Sequence, residues 1–251
     1  MCRAFLHVAA ITSEQCQGTS KASKTKASPL SPNVWRKERS NTSALAWGMP
    51  PTLKEIYWKF PAVRDLALSK PVRQLVTAVL GENCFAVSGL FFNKTPDSNW
   101  KVAWHQDRTI AVRERKDARH FGPWSIKAGV PHVQPPASVM ANMLAIRLHL
   151  DESHSGNGPL RVIPGSHNAG CLTADEIEAW KERPSVTCTV PKGGAVLMRP
   201  LLVHASSSCG LPQPRRVVHL EFAPDDLPDG LEWHDRVAGH RQPPPSVRAQ
   251  A

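Results

Sequence analysis

The residues of this chain most suited to holding a metal ion are His105 and Asp107, separated by Gln106, and a second histidine far along the sequence, His204. On an extended segment, side chains two apart share a face, so His105 and Asp107 can reach one ion. His204 closes the apolar run Leu201-Leu202-Val203 and can supply a third ligand, although a histidine in such a place is also common as a structural residue. Two imidazoles and one hard carboxylate, with no thiolate, suit Fe(II). They leave three open positions on an octahedral ion, two for a chelating co-substrate and one for O2. Arg215 and Arg216 follow shortly after. A keto acid such as 2-oxoglutarate, chelating the metal at one end, would leave a distal carboxylate in need of a cation, and a guanidinium offers two parallel hydrogen bonds. Alternation groups Arg215 with Val217, His219 and Glu221, and Arg216 with Val218, Leu220 and Phe222. The second face is oily and is expected to pack outward against helices, so Arg215 is the arginine expected in a polar cavity. Both arginines could instead mark a solvated strand entrance.

The elements that must position these groups are mostly strands. From residue 84 onward, short β-branched and aromatic runs bounded by Gly, Pro, Asn or Asp predict strands at 84–92, 102–105, 110–112, 140–150, 160–163, 186–190, 195–198, 201–204 and 215–222. Residues 53–80 carry helix-like spacing, divided by Pro61 and Pro71. One further helix is expected at 173–183, where Thr173 and Glu176 have capping-box spacing. The 23 prolines among 251 residues argue against a helical bundle. The fold class expected is mainly β with flanking helices, a jelly-roll or cupin-like barrel of the double-stranded β-helix type.

The chain's net charge of +10 is unevenly placed. Residues 1–75 hold 12 Lys/Arg against 4 Asp/Glu, so the remainder is nearly neutral and nucleic acid is not the expected partner. No run approaches the roughly 18 apolar residues of a membrane span. Residues 1–44, rich in Ser, Thr, Lys and Ala, read as a basic disordered tail, with organellar targeting an alternative. The expected body is 45–235 and a C-terminal tail 236–251. Six scattered cysteines with no Cys-x-x-Cys pair fit a reducing, cytoplasmic compartment.

Four ordered motifs carry a family resemblance. They are Asn93-Lys94-Thr95-Pro96-Asp97-Ser98, His105-Gln106-Asp107, the turn Gly158-Pro159-Leu160-Arg161-Val162-Ile163-Pro164-Gly165-Ser166-His167, and His204-Ala205-Ser206 followed by Arg215. Over roughly residues 53–233 the sequence resembles the phytanoyl-CoA dioxygenase (PhyH-like) family of Fe(II)/2-oxoglutarate oxygenases. The resemblance implies a small-molecule hydroxylase in which His105, Asp107 and His204 hold Fe(II). The co-substrate 2-oxoglutarate would be anchored by Arg215 and converted to succinate and CO2, with O2 consumed and ascorbate as a possible reductant. It also implies that Ser206 hydrogen-bonds 2-oxoglutarate and that Leu90 forms an apolar wall of its pocket; each could instead be an ordinary turn or core residue. Arg147 stands where some members carry a tryptophan near the co-substrate, and it either helps to bind a carboxylate or faces solvent. His167 is not needed as a fourth ligand.

The segment 124–136 has the character of a lid or a plain connector, with Trp124, His132 and Gln134 as candidate substrate contacts. The alternative function is a catalytically silent barrel acting as a binding or regulatory protein. Oligomeric state is open between monomer and homodimer.

Overall fold

Residues 215–222 alternate polar and apolar side chains, and the structure uses that alternation to build a two-faced central strand. The computed structural model describes residues 6–9, 61–94, 99–210 and 215–238. The remainder of the 1–44 segment, residues 45–60, 95–98, 211–214 and 239–251 lie outside the described residues.

The larger sheet has five strands in the order β1 (Leu6–Ala9), β10 (Ala195–Met198), β7 (Leu144–His149), β12 (Arg215–Ala223) and β2 (Phe85–Lys94), all neighbours antiparallel. Within the segment read as a tail, Leu6–Ala9 thus pairs with β10. A second sheet has the order β3 (Val102–His105), β11 (His204–Ser206), β8 (Leu160–Val162) and β9 (Val186–Cys188). A small third sheet joins β4 (Ile110–Ala111), β6 (Val130–Val133) and β5 (Trp124–Lys127).

The outward face of the large sheet is apolar and is covered by two helices, α1 (Pro61–Leu68) and α2 (Lys70–Leu80). Val63, Ala67, Val72 and Val76 pack on Phe91, Ile146, Leu148, Val218, Leu220 and Phe222. Each large apolar side chain so buried contributes about 1.5–3 kcal/mol. Arg216, at the end of this face, forms a two-pronged ion pair with Asp151, Nε to Oδ2 at 2.7 Å and Nη2 to Oδ1 at 2.6 Å. Between the two larger sheets Ala145, Val196 and Met198 meet Leu160, Val162 and Cys188. The facing antiparallel sheets make a double-stranded β-helix, the expected fold class.

Three expected elements differ. Residues 140–142 belong to a short helix α3 (Ala137–Asn142), which buries Met140, rather than to the start of β7. The strand expected at 201–204 begins at His204, because Leu201–Val203 form a buried lead-in held by side-chain hydrogen bonds. The 124–136 segment carries the hairpin β5–β6. The helix expected at 173–183 is α4 (Ala174–Trp180), with Thr173 and Glu176 making the reciprocal cap.

Gly158 enters β8 with φ of 66°, and a Cβ there would lie 2.4 Å from the Ser207 carbonyl oxygen. Gly158→Ala should therefore lower the unfolding free energy in urea by at least about 2 kcal/mol, combining left-handed strain with a displaced neighbour. Gly129→Ala, with φ of 80° but open space around the new methyl, should cost less; equal costs would show that the Ser207 contact does not matter.

Candidate metal centre

The two histidines meet because β3 and β11 are neighbours and His204 pairs directly with His105. Their rings lie 4.2 Å apart between centroids, tilted by 51°. Asp107, just past the end of β3, is fixed by its backbone N–H donating to the Pro200 carbonyl at 3.0 Å. Its two carboxylate oxygens each face one imidazole, Oδ1 at 3.5 Å from His105 Nε2 and Oδ2 at 3.5 Å from His204 Nε2. One ligand atom from each of the three residues falls within 4.8 Å of the others.

Neighbouring side chains hold this group in place. Gln106, pointing the other way, donates to the carbonyls of Leu201 at 2.7 Å and Gly170 at 2.8 Å and accepts from Leu172 N–H at 2.8 Å. Ser166, from the Pro164-Gly165-Ser166 turn, donates to the Ile163 carbonyl at 2.7 Å and accepts from Val203 N–H at 2.8 Å, one residue before His204. That turn therefore anchors the approach to a candidate ligand. His167 is in neither of the groups able to hold a metal among the described residues.

The tautomers follow from geometry. His105 Nδ1 lies 2.8 Å from the Ala103 carbonyl and His204 Nδ1 2.8 Å from the Leu202 carbonyl. A carbonyl only accepts, so Nδ1 carries the proton in each ring and both Nε2 lone pairs converge on the Asp107 carboxylate. Lone pairs and an anion facing one another at this distance repel unless a cation lies between them. The donor set therefore fits a divalent first-row metal. Burial works against charge on His204 and lowers its pKa to about 4 despite Asp107. Burial also opposes the charged form of His105, but in that form Nε2–H can donate to Asp107, and this bond and the Asp107 charge outweigh burial and raise the pKa. For Asp107 burial is overcome by His204, His105 and His219, which keep the carboxyl well below the usual carboxylate range.

These groups line a cavity of about 520 Å³ between the sheets. Toward the ends of β2 and β12 it is cationic. Arg215 is 2% exposed, lines the cavity, and its Nε and Nη1 have no hydrogen-bond partner. Burial, then Arg147, lowers its pKa to about 10, so it remains charged at neutral pH. Opposite it in the sheet, Lys94 donates to Ser206 Oγ at 3.2 Å and the Ser207 carbonyl at 2.6 Å. Burial and then Arg215 lower its pKa to about 8. Ser206 and Leu90 line the same cavity. Buried guanidinium donors without a partner fit a carboxylate-bearing co-substrate.

Arg147 is buried and lines the cavity, stacked with its guanidinium 5.0 Å from the Phe92 ring centre, so solvent is not its environment. Its Nη1 donates to His219 Nδ1 at 3.2 Å. Arginine only donates, so neutral His219 keeps its proton on Nε2. Asp107, His219 and Glu221 form a second group with metal-ligand spacing, but Nε2–H has no lone pair to give, so this group is not a metal site.

Of the three hairpin candidates, His132 lines the cavity, whereas Trp124 and Gln134 do not. Trp124 pairs opposite Val133 and packs on the core around Phe85 and Met140, on the other face of the hairpin from His132. Gln134 spends its backbone on Gly122 and Pro123. Period-two alternation put His219 and Glu221 on the Arg215 face but singled out neither as a site residue, and nothing in the sequence pointed Lys94 into the cavity.

The fold and the three convergent side chains define a double-stranded β-helix protein with a possible two-histidine, one-carboxylate metal triad. The phytanoyl-CoA dioxygenase (PhyH) profile matches residues 53–217, and the chain belongs to that family. Among solved structures, EctD from S. alaskensis with 2-oxoglutarate and 5-hydroxyectoine is similar at a TM-score of 0.52 and 20% identity, over 69% of this chain and 56% of that one. HygX from Streptomyces hygroscopicus with nickel and 2-oxoglutarate bound is similar at 0.51 and 17%, over 78% and 79%. The chain spans 32% of the EvdMO1 chain and 56% of the EctD chain, less than two thirds of either. No curated protein matches at a significant level.

The histidines set an acid limit. Burial, followed by the charges of Arg147 and Arg215, lowers the pKa of His149 to about 3. His149 and His204, depressed in the fold, take up protons on unfolding once the pH drops below about 6.5. Stability of the metal-free protein, fully present above that pH, should fall by up to about 2.7 kcal/mol per pH unit toward pH 4. Urea unfolding across that range checks it; a flat profile would contradict the buried neutral state. Gln106→Ala, which strands three backbone groups, should weaken Ni(II) binding by at least about tenfold, measured by calorimetry.

Proposed function

We propose that the protein is an Fe(II)- and 2-oxoglutarate-dependent dioxygenase that hydroxylates a small organic substrate. The observation that carries this reading is the conjunction, in one cavity, of three ligand side chains converging on a common point and a buried guanidinium with two donors unused. A zinc hydrolase would account for the ligands but not for Arg215.

In this reading His105 and His204 bind the metal through Nε2, their Nδ1–H groups fixed by carbonyls, while Asp107 adds the third ligand. Arg215 and Ser206 hold the distal carboxylate of 2-oxoglutarate, Leu90 walls its methylene chain, and Lys94 orients Ser206. Arg147 reaches toward the same region from β7, with its Nε available to a carboxylate. When bound, the metal would let O2 act as the oxidant, with two electrons drawn from 2-oxoglutarate as it becomes succinate and CO2 and two from the substrate C–H bond that is hydroxylated. The chain's contribution is placement and exclusion of water: the apolar core between the sheets and the β5–β6 hairpin screen the cavity, and His132 faces it from that hairpin. The retained carboxylate of Asp107 leaves no ligand position vacated for a halide.

Supplied with Fe(II), ascorbate and labelled 2-oxoglutarate, the purified chain should release labelled succinate, and His105→Ala should abolish that release. Retention of full turnover by the variant would remove the assignment. Absence of both turnover and metal affinity in the unaltered protein would favour the silent binding barrel. Arg215→Leu should raise the KM for 2-oxoglutarate by about a hundredfold, the loss expected of a two-pronged charged hydrogen bond worth ~3 kcal/mol.

A further inference from the structure

Glu221 is a buried carboxylate for which the chemistry above has no use. It is 8% exposed, lies on the inward face of β12, and lines the cavity together with Ser88, which pairs opposite it on β2. Its nearest ionisable partner is His219, with Nε2 at 3.6 Å from Oε1, beyond hydrogen-bonding distance, and it makes no hydrogen bond among the described residues. Arg147 does not neutralise it, since that side chain is turned to His219 Nδ1. Arg108, Lys127 and His132 also line the cavity, but none of them pairs with Glu221: Arg108 donates to the Leu172 carbonyl at 2.8 Å, Lys127 donates to Thr109 Oγ1 at 2.8 Å, and burial lowers the pKa of His132. A carboxylate so enclosed calls for a cation or a strong donor, and among the described residues no lysine or arginine pairs with it and His219 Nε2 stays at 3.6 Å.

The cavity is thus divided by charge. Arg215 and Lys94 stand at one end of the inward rows, and Glu221 lies six residues further along the same strand, roughly 20 Å at an extended rise. The cationic end suits the dianionic co-substrate. The acidic end is beside the ligand set, since a Glu221 oxygen falls within 4.8 Å of an Asp107 oxygen.

We propose that Glu221 receives a positively charged amine of the substrate, so that the substrate class is small organic amines rather than neutral or anionic compounds. The inference rests on the oxygenase reading, because only there is the space beside Asp107 the place of the substrate. Ser88 offers a hydroxyl to the same amine, and His219, locked by Arg147, directs its Nε2–H toward the Glu221 side and keeps the carboxylate facing the cavity.

The full-length protein loaded with Ni(II) and 2-oxoglutarate is titrated in a calorimeter with 1,4-diaminobutane, butylamine, 1-butanol and butyrate. Both amines should bind at least about tenfold more tightly than 1-butanol, with butyrate weakest. Glu221→Gln should erase the preference, and Glu221→Asp, which keeps the charge, should preserve its order. Thermal unfolding of each variant establishes that it is folded. Should the glutamine variant not fold, the wild-type order decides alone, and any order other than amine, alcohol, acid overturns the proposal. An amine preference that survives in a folded Glu221→Gln protein also overturns it. If Ni(II) and 2-oxoglutarate bind while the amines show no preference, this inference fails and the oxygenase reading stands. If neither binds, that reading fails and the amine assignment falls with it.

Discussion

The pairing of His204 with His105 across β11 and β3 is the contact on which the rest of the candidate site depends. Two residues far apart in sequence become neighbours only in that register. A slip of one residue would send one imidazole to the opposite face of its strand. β11 is three residues long, too short to fix its own register by pairing alone. The constraint comes from its lead-in. Ser166 takes the Val203 N–H, Ile163 N–H donates to the Val203 carbonyl at 2.9 Å, and Gln106 takes the Leu201 carbonyl. Gln106 sits between the two candidate ligands on the facing strand, so one residue ties their position to the lead-in of the third.

The cost of the site is borne by the large sheet. Its inward rows place Lys94, Arg215, Arg147, His149, His219 and Glu221 away from water, a concentration of polar groups that a core seldom tolerates. The opposite face of the same strands carries Phe91, Ile146, Leu148, Val218, Leu220 and Phe222 beneath the two helices. The apolar face provides the burial that holds the sheet flat against α1 and α2, and the polar face is thereby left to the cavity. Because the two faces alternate residue by residue, the strands can serve both purposes without conflict.

Much of this was legible in the sequence because it rests on period two. The alternation from Arg215 to Phe222 separates a polar from an oily face, and β3 and β10 begin and end where their runs in the sequence do. What was not legible depends on contacts between distant segments. Leu201-Leu202-Val203 reads as a strand by composition, yet its backbone is satisfied by Ser166 and Gln106, side chains remote in sequence. Residues 140–142 look like the start of β7, but the turn after Pro135-Pro136 starts a helix that buries Met140. Trp124 and His132 lie in one hairpin, and only its register, with Trp124 opposite Val133 and His132 opposite Ser125, puts them on different faces. Glu221 was placed on the right face by alternation but belongs to no motif, so nothing local marked it as unpartnered.

Arg147 shows how one buried side chain can decide the chemistry of its neighbours. Asp107, His219 and Glu221 have the spacing of a metal site, and a metal bound there would draw Asp107 away from His105 and His204. The guanidinium of Arg147 against His219 Nδ1 prevents this without touching any metal ligand, because it fixes the proton on the nitrogen that would have to coordinate. Its stacking on Phe92 and its burial leave it little freedom to withdraw. One buried arginine therefore separates two clusters that share a carboxylate, keeping Asp107 for the paired histidines and leaving the Glu221 side chain to the cavity.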